Sequence, residues 1–226
     1  MTPGPRRIAQ LYLPDFRVER WRARRPELAG SVFAVWERRG PRELVVAASR
    51  EARACGLRPG MNVSEARAIC RGLCALEVAP EDERRALEAL AEVMGAFSPF
   101  VVLDGPHGLQ LDVGAPARRF GGERGLARAL IAEAADQGYL ARVAVAGGAE
   151  IARLLAMVGP DDVRAGRFDG FLDEDGGALR LVPPGRDAEA LAEIPLERLD
   201  LAPELVRSLT LLGVRRLGEV ARLPRG

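Results

Sequence analysis

Short apolar runs alternate with amphipathic segments along most of the chain. Residues 8–13 are mostly apolar, which predicts a buried strand, and Asp15 follows as the predicted N-cap of a helix over residues 16–24. Residues 32–36 and 44–48 predict two antiparallel strands joined by a loose polar connection. The chain is therefore predicted to open with a strand, a helix and a hairpin.

Short helices separated by glycine turns are predicted next. Residues 51–55 form a helical segment that ends at Gly56, and Ser64 is the predicted cap of a helix over residues 65–71. In residues 81–97 the apolar side chains recur at helical spacing over a longer stretch, which predicts a helix that buries one face. The segment up to about residue 74 is thus predicted to form a compact block of small elements.

A second group of strands and helices follows. Residues 100–104 and 109–113 predict an antiparallel pair with a turn at Gly105-Pro106. A helix, a strand and a helix are then predicted over residues 125–136, 141–146 and 147–158. This order, a split arrangement of βαβ units, predicts an α+β fold whose sheet contains antiparallel strands and carries helices on one face. Residues 159–177 are predicted to be a linker with a short helix, and the chain beyond residue 185 is predicted to be helical.

Composition excludes several classes of protein. The 226 residues include 33 basic and 32 acidic side chains, so a disordered chain or a general polyanion-binding coat is not indicated. Every basic residue is an arginine, which excludes a Walker-type lysine and a Schiff base. Three cysteines and one histidine do not form a four-ligand zinc site with ordinary spacing. No apolar run is long enough for a signal peptide or a membrane span, so a soluble cytoplasmic protein is expected.

Metal-dependent chemistry lacks its usual ligands. Two-metal phosphoryl transfer needs several carboxylates at strand ends, but both faces of the first predicted strand lack one. On the second hairpin, Asp104 lies before the turn and Asp112 lies on the strand after it, and both are interpreted as structural. His107 is interpreted as a polar residue beside a turn, with a base or lone ligand as the less favoured alternative. Cys70 and Cys74 are interpreted as buried thiols.

Three segments could bind an anion. Arg50, Arg53 and Arg58 could hold a phosphate, although a solvated charged face is the favoured interpretation. Gly147-Gly148 could expose backbone amides, which alone is a weak signal. The turn Leu212-Gly213-Val214 is typical of a helix-hairpin-helix that binds DNA phosphates and equally of a plain helical turn.

Four blocks in the same order and spacing give the sequence a specific resemblance. They are Arg-Ile-Ala-Gln-Leu-Tyr-Leu-Pro at residues 7–14, the segment 48–61, the segment 108–123, and a C-terminal block over residues 194–220. Together they resemble the ImuB family, which are catalytically inactive relatives of Y-family translesion DNA polymerases. The resemblance covers nearly the whole chain.

The resemblance implies which site residues are altered. Gln10, next to Leu11, stands where active members carry the first metal-binding aspartate, and His107 and Gly108 stand where they carry a paired Asp-Glu. The resemblance implies that no metal or cofactor is bound. Arg50 and Arg53 are the implied vestigial contacts to nucleotide phosphates. A third group, in the thumb, consists of the implied DNA contacts Gly213, Arg215 and Arg216.

The resemblance also implies a domain organisation. A palm-like domain would comprise residues 1–20 and 75–160, a fingers-like domain residues 21–74 and a thumb-like helical domain residues 161–226. The little finger and the clamp-binding tail, which follow the thumb in the family, are expected to be absent from this chain.

The function implied is that of a non-catalytic adaptor in damage-induced translesion synthesis, within the SOS mutagenesis response. Such an adaptor bridges a RecA-like ImuA partner, an error-prone replicative-type polymerase and, through the absent C-terminal region, the sliding clamp. Salt-sensitive binding of primer-template DNA through arginines is a further expectation. Two alternatives stay open: an active Y-family polymerase with displaced ligands such as Asp15 or Asp104, and an unrelated α/β protein-binding domain.

Overall fold

The chain divides into two compact units. The computed structural model describes residues 6–159, 178–199 and 201–220. Contacts group residues 1–14 with 88–226 in one unit and residues 15–87 in the other. Because contacts alone do not identify palm-like, fingers-like or thumb-like parts, that finer division stays a prediction.

The secondary structure follows the predicted order. Before residue 95 the described α-helices and strands are β1 (Ile8–Tyr12), α1 (Phe16–Arg24), β2 (Phe33–Arg39), β3 (Arg42–Ala48), α2 (Arg50–Ala54), α3 (Val63–Ile69), β4 (Cys74–Glu77) and α4 (Pro80–Met94). After residue 95 they are β5 (Val101–Leu103), β6 (Gly108–Asp112), α5 (Glu123–Asp136), β7 (Arg142–Ala146), α6 (Ala149–Met157), β8 (Leu179–Leu181), α7 (Asp187–Ala192), α8 (Pro203–Leu211) and α9 (Leu217–Val220). Short 3-10 helices lie at Pro26–Leu28, Pro116–Phe120 and Leu196–Arg198. The predicted linker over residues 159–177 lies, beyond Gly159, outside the described residues. None of the helices in the described ranges has the length and apolar character needed to cross a bilayer.

Several local predictions are corrected. The β2–β3 connection is a tight turn with Gly40 at φ +59°, because both strands extend beyond their apolar runs. Helix α3 begins at Val63 and is capped by Asn62, whose side-chain oxygen accepts a hydrogen bond from the Ser64 N–H. Strand β4 was not predicted, and α4 ends at Met94 rather than at residue 97.

Residues 15–87 are built around a three-stranded sheet in the order β3-β2-β4. Strand β2 is antiparallel to β3 and parallel to β4. Phe33 and Val35 pack in one apolar cluster with side chains of α1, and Ala34 packs in another with Ala52 of α2 and Ala66 of α3. Because α2 and α3 are too short to be stable alone, burial of these side chains holds them against the sheet.

The other unit contains a five-stranded sheet in the order β5-β6-β1-β7-β8. Strand β1 is antiparallel to both β6 and β7, which places Gln10 opposite Gln110 and Ala144. Directly opposed residues share a face of a sheet. One face, here termed the Gln10 face, therefore contains Ile8, Gln10, Tyr12, Val102, Gly108, Gln110, Asp112 and Ala144.

The two faces are covered to different extents. On the face opposite the Gln10 face, Leu11 and Leu109 are fully buried, and α5 contacts β1, β7 and β8. On the Gln10 face, α6 packs with Ile8 and Ala144, whereas Val102 on β5 is 62% exposed. The predicted α+β fold with an antiparallel-containing sheet is confirmed. The expectation of helices on one face needs one correction, because α6 also covers the Gln10 face at the β7–β8 end.

Candidate functional site

Gln10 lies at the centre of the sheet and fills the space above Gly108. Its side chain is 1% exposed, and its amide nitrogen donates a long hydrogen bond of 3.4 Å to the Leu11 carbonyl. A Cβ atom at Gly108 would lie 2.4 Å from that amide nitrogen and 2.9 Å from the Leu11 carbonyl oxygen. Position 108 therefore has no room for a side chain while Gln10 keeps this conformation.

The residues around this pair have structural contacts. The His107 carbonyl accepts a 2.8 Å hydrogen bond from the Leu13 N–H, which joins the β5–β6 turn to the end of β1. The Asp112 carboxylate accepts a 3.2 Å hydrogen bond from the Gly114 N–H, in agreement with its structural interpretation. Within the described residues, no group of three or more His, Cys, Asp or Glu side chains is arranged to hold a metal ion. A neutral amide packed on a glycine does not fit a pair of divalent cations, which need several anionic oxygens.

Asp15 and Arg53 form a bidentate ion pair. Asp15 is the N-cap residue of α1, as predicted, but its side chain makes no capping hydrogen bond. Instead its two oxygens accept hydrogen bonds of 2.6 and 3.1 Å from Arg53, and this bonding raises the pKa of the Arg53 guanidinium. A phosphate at Arg53 would have to compete with Asp15, and a metal at Asp15 would have to compete with Arg53.

The other arginines of this cluster differ from one another. The Arg58 guanidinium donates hydrogen bonds to the carbonyls of Arg53 and Leu57 and so stabilises the C-terminal end of α2. Arg50 is the first residue of α2 and is exposed to solvent. Ser49, which the sequence analysis did not single out, is fully buried and caps α2 by accepting a hydrogen bond from the Ala52 N–H. Of the predicted phosphate contacts, Arg50 is therefore the more accessible.

At both glycine-containing segments that were considered as anion sites, a carboxylate of the protein already accepts hydrogen bonds from backbone N–H groups. The Gly147 N–H donates a 3.1 Å hydrogen bond to Asp187, and a Cβ at Gly147 would lie 2.3 Å from that carboxylate. An anion at this loop would therefore have to displace Asp187. Sequence reasoning missed this contact because Asp187 is 40 residues away.

The predicted helical hairpin has a similar arrangement. Gly213 follows α8 with φ +83°, a left-handed conformation that glycine adopts without strain. The backbone N–H groups of Arg215 and Arg216 donate hydrogen bonds of 2.6 and 3.0 Å to Glu219, and the Arg216 guanidinium pairs with Glu193. DNA binding by Gly213, Arg215 and Arg216 stays a prediction, and a phosphate at these amides would have to replace Glu219.

Breaking the ion pair between Arg53 and Asp15 is expected to strengthen DNA binding. In Asp15→Asn the guanidinium loses its ionic partner, so we expect several-fold tighter binding of primer-template DNA and a salt slope steeper by about one unit. Fluorescence anisotropy at two salt concentrations measures both quantities. Asp136→Asn, which removes the same charge from an exposed position on α5, is the control. An equal gain in both variants would show that Arg53 makes no phosphate contact.

Comparison with known sequences identifies relatives of this chain. The model of the impB/mucB/samB family matches residues 11–157. Protein ImuB of Caulobacter vibrioides strain NA1000 / CB15N is 35% identical over 170 residues, which cover 75% of this chain and 33% of that protein. DNA polymerase IV 2 of Mesorhizobium japonicum is 27% identical over 203 residues, covering 89% of this chain and 44% of that protein. The chain thus spans less than half the length of either relative.

Solved structures share the fold. DinB from Sulfolobus solfataricus superposes with a TM-score of 0.72 at 17% identity, covering 96% of this chain and 60% of that one. An insertion ternary complex of Dbh DNA polymerase gives a TM-score of 0.73 at 17% identity, with 96% and 61% coverage. The predicted Y-family polymerase-like fold is confirmed. Since the family model covers well over half of its length, the chain belongs to the impB/mucB/samB family, and the resemblance to ImuB that its four blocks indicate is confirmed.

Proposed function

We propose that this chain is the polymerase-like part of a non-catalytic adaptor in damage-induced translesion synthesis. The packing of Gln10 over Gly108 carries the proposal. Templated nucleotide addition depends on carboxylates that hold divalent cations at the reacting phosphate. A neutral amide offers no charge for this purpose, and it fills the space that a second carboxylate would need.

The alternative of displaced ligands is less well supported. It is motivated by the similarity to DNA polymerase IV 2. Asp15 is engaged through both oxygens by Arg53, which leaves Asp104 as the remaining suggested ligand. One carboxylate does not hold two divalent cations about 4 Å apart.

The proposed adaptor bridges an ImuA partner, an error-prone polymerase and the sliding clamp in the cytoplasm. The similarity to Protein ImuB supports this role. Because the match spans 33% of that protein, the partner contacts are proposed for the whole protein, and no residue here is assigned to the clamp. The exposed Arg50 supports weak, sequence-independent contact with DNA phosphates.

Primer extension tests the proposal. We expect no Mg²⁺-dependent extension of a labelled primer by the purified chain under conditions in which an active Y-family polymerase, assayed alongside, extends it fully. Asp104→Asn, which removes the remaining suggested ligand, should leave this result unchanged. Extension by the unaltered chain that disappears in Asp104→Asn would overturn the proposal in favour of an active polymerase.

A further inference from the structure

Within the described residues, no strand pairs with the outer side of the edge strand β5. Its three residues, Val101, Val102 and Leu103, are uncharged and form the outermost strand next to β6. Natural sheets usually protect such an edge with charged side chains, proline or a covering segment. Here β5 itself contains no proline, although Pro99 precedes it and Pro106 follows it in the turn, and no described segment is paired with its outer edge.

Hydrogen bonding shows which backbone groups face outward. The Phe100 carbonyl accepts a 3.1 Å hydrogen bond from the Asp112 N–H, and the Asp104 N–H donates a 2.9 Å bond to the Gly108 carbonyl. Alternate residues of an antiparallel strand bond to the same neighbour. Val101 and Leu103 therefore direct their N–H and C=O groups away from β6, and no described backbone group bonds to them.

The side chains beside this edge are apolar in the middle and charged at the ends. Phe100 and Val102 are 68% and 62% exposed on the Gln10 face. They line a groove of about 330 Å³ together with Gln110, Asp112 and, at one end, Arg6. Asp104 follows β5 at the other end. Large apolar side chains with this exposure mark an interaction surface when they are contiguous.

We propose that β5 docks an extended segment of a partner protein, which adds a sixth, antiparallel strand to the sheet. The segment would place two apolar side chains against Val102 and Phe100, a lysine or arginine near Asp104, and an acidic residue near Arg6. Backbone pairing supplies affinity in this mode, and the alternate side chains supply specificity. The inference rests on the proposed adaptor role, since it names a surface through which an adaptor holds a partner.

Nucleic acid is the less suitable occupant of this edge. Asp104 follows β5 at one end of the groove, and at the other end Asp112 lies in the lining together with Arg6, so these three side chains provide no net positive charge to attract a phosphate backbone. The outward N–H and C=O groups of Val101 and Leu103 match an extended peptide, which alternates donors and acceptors at the same spacing.

A synthetic peptide tests the inference. The probe is fluorescein-labelled Thr-Lys-Thr-Val-Thr-Val-Thr-Glu-Thr, whose alternate residues match the groove in the antiparallel direction, and its binding to the full chain is followed by fluorescence polarisation. A peptide with the lysine and glutamate exchanged is the matched control and should bind several-fold more weakly. Hydrogen exchange of the Val101 and Leu103 amides should slow when the first peptide is bound.

Variants of the protein locate the site. Val102→Glu, and Leu103→Pro, which removes an outward donor without removing a bond to β6, should each weaken binding about tenfold or more. Leu140→Glu, at a residue that is 57% exposed but away from β5, should bind normally. Equal binding by all variants, no binding of the peptide, or duplex DNA binding that Val102→Glu abolishes would each overturn the inference. Primer extension by the same preparation would instead overturn the adaptor role, so the two failures are distinguishable.

Discussion

Replacing Gly108 by alanine is expected to lower the free energy of unfolding by about 2 kcal/mol, a large cost for one added methyl group. The new Cβ would lie 2.4 Å from the Gln10 amide nitrogen and 2.9 Å from the Leu11 carbonyl oxygen, so the side chain or the strand must shift. Gln10 is 1% exposed and has little space to move into. Urea denaturation of the two proteins measures the difference.

A double-mutant cycle assigns this cost to Gln10. In a Gln10→Ala background the amide is absent, and we expect the same Gly108→Ala change to cost less than half as much. The remaining cost comes from the Leu11 carbonyl oxygen, which lies 2.9 Å from the position of the added Cβ in either background. An equal cost in both backgrounds would show that Gln10 does not restrict position 108. A smaller cost would show that the side chains tolerated at positions 10 and 108 depend on each other.

Replacing Arg7 by methionine is expected to lower the free energy of unfolding by about 3 kcal/mol. Arg7 is 4% exposed, donates to both oxygens of Glu123 at 2.6 and 2.7 Å, and donates to the Val182 carbonyl at 2.5 Å. The change leaves a partly buried carboxylate and a buried carbonyl without these donors, which costs more than the ion pair itself contributes. Thermal and urea unfolding measure the loss.

Two further variants separate this contact from a general effect of removing an arginine. Arg38→Met removes an exposed pair with Glu43, whose side chains are 62% and 38% exposed, and should change stability by less than about 0.5 kcal/mol. Arg7→Met combined with Glu123→Gln should be less destabilising than Arg7→Met alone, because no unpaired charge remains. Equal losses in Arg7→Met and Arg38→Met would contradict the role assigned to Arg7.

Local pattern predicted most of the fold because most elements have strong periodicity. Helices α1 and α5 and the strands around the second hairpin follow from apolar spacing and turn residues. Strand β4 did not, since Cys74–Glu77 is short, lacks clear alternation and is defined by parallel pairing with β2. Such pairing depends on a partner distant in sequence, which periodicity does not identify.

The four blocks single out Gln10 and Gly108 as altered positions, and that assignment stays a prediction. The contact between the Gln10 side chain and Gly108 was not predictable, because it depends on the register of β1 and β6. Asp15 was predicted to cap a helix because of its place before α1. Its carboxylate bonds instead to Arg53, 38 residues away, and no local signal reports a partner at that separation.

The order of strands also bears on how the chain is made. Residues 15–87 are continuous in sequence, so this unit can form as soon as it leaves the ribosome. Strand β1 precedes it but pairs with β6 and β7, and Ile8 meets its partners Asp112 and Ala146 only after more than a hundred further residues are synthesised. Closing such long loops is slow. During synthesis β1 is therefore an apolar strand without its partners, and it is the segment on which we expect a ribosome-associated chaperone to act.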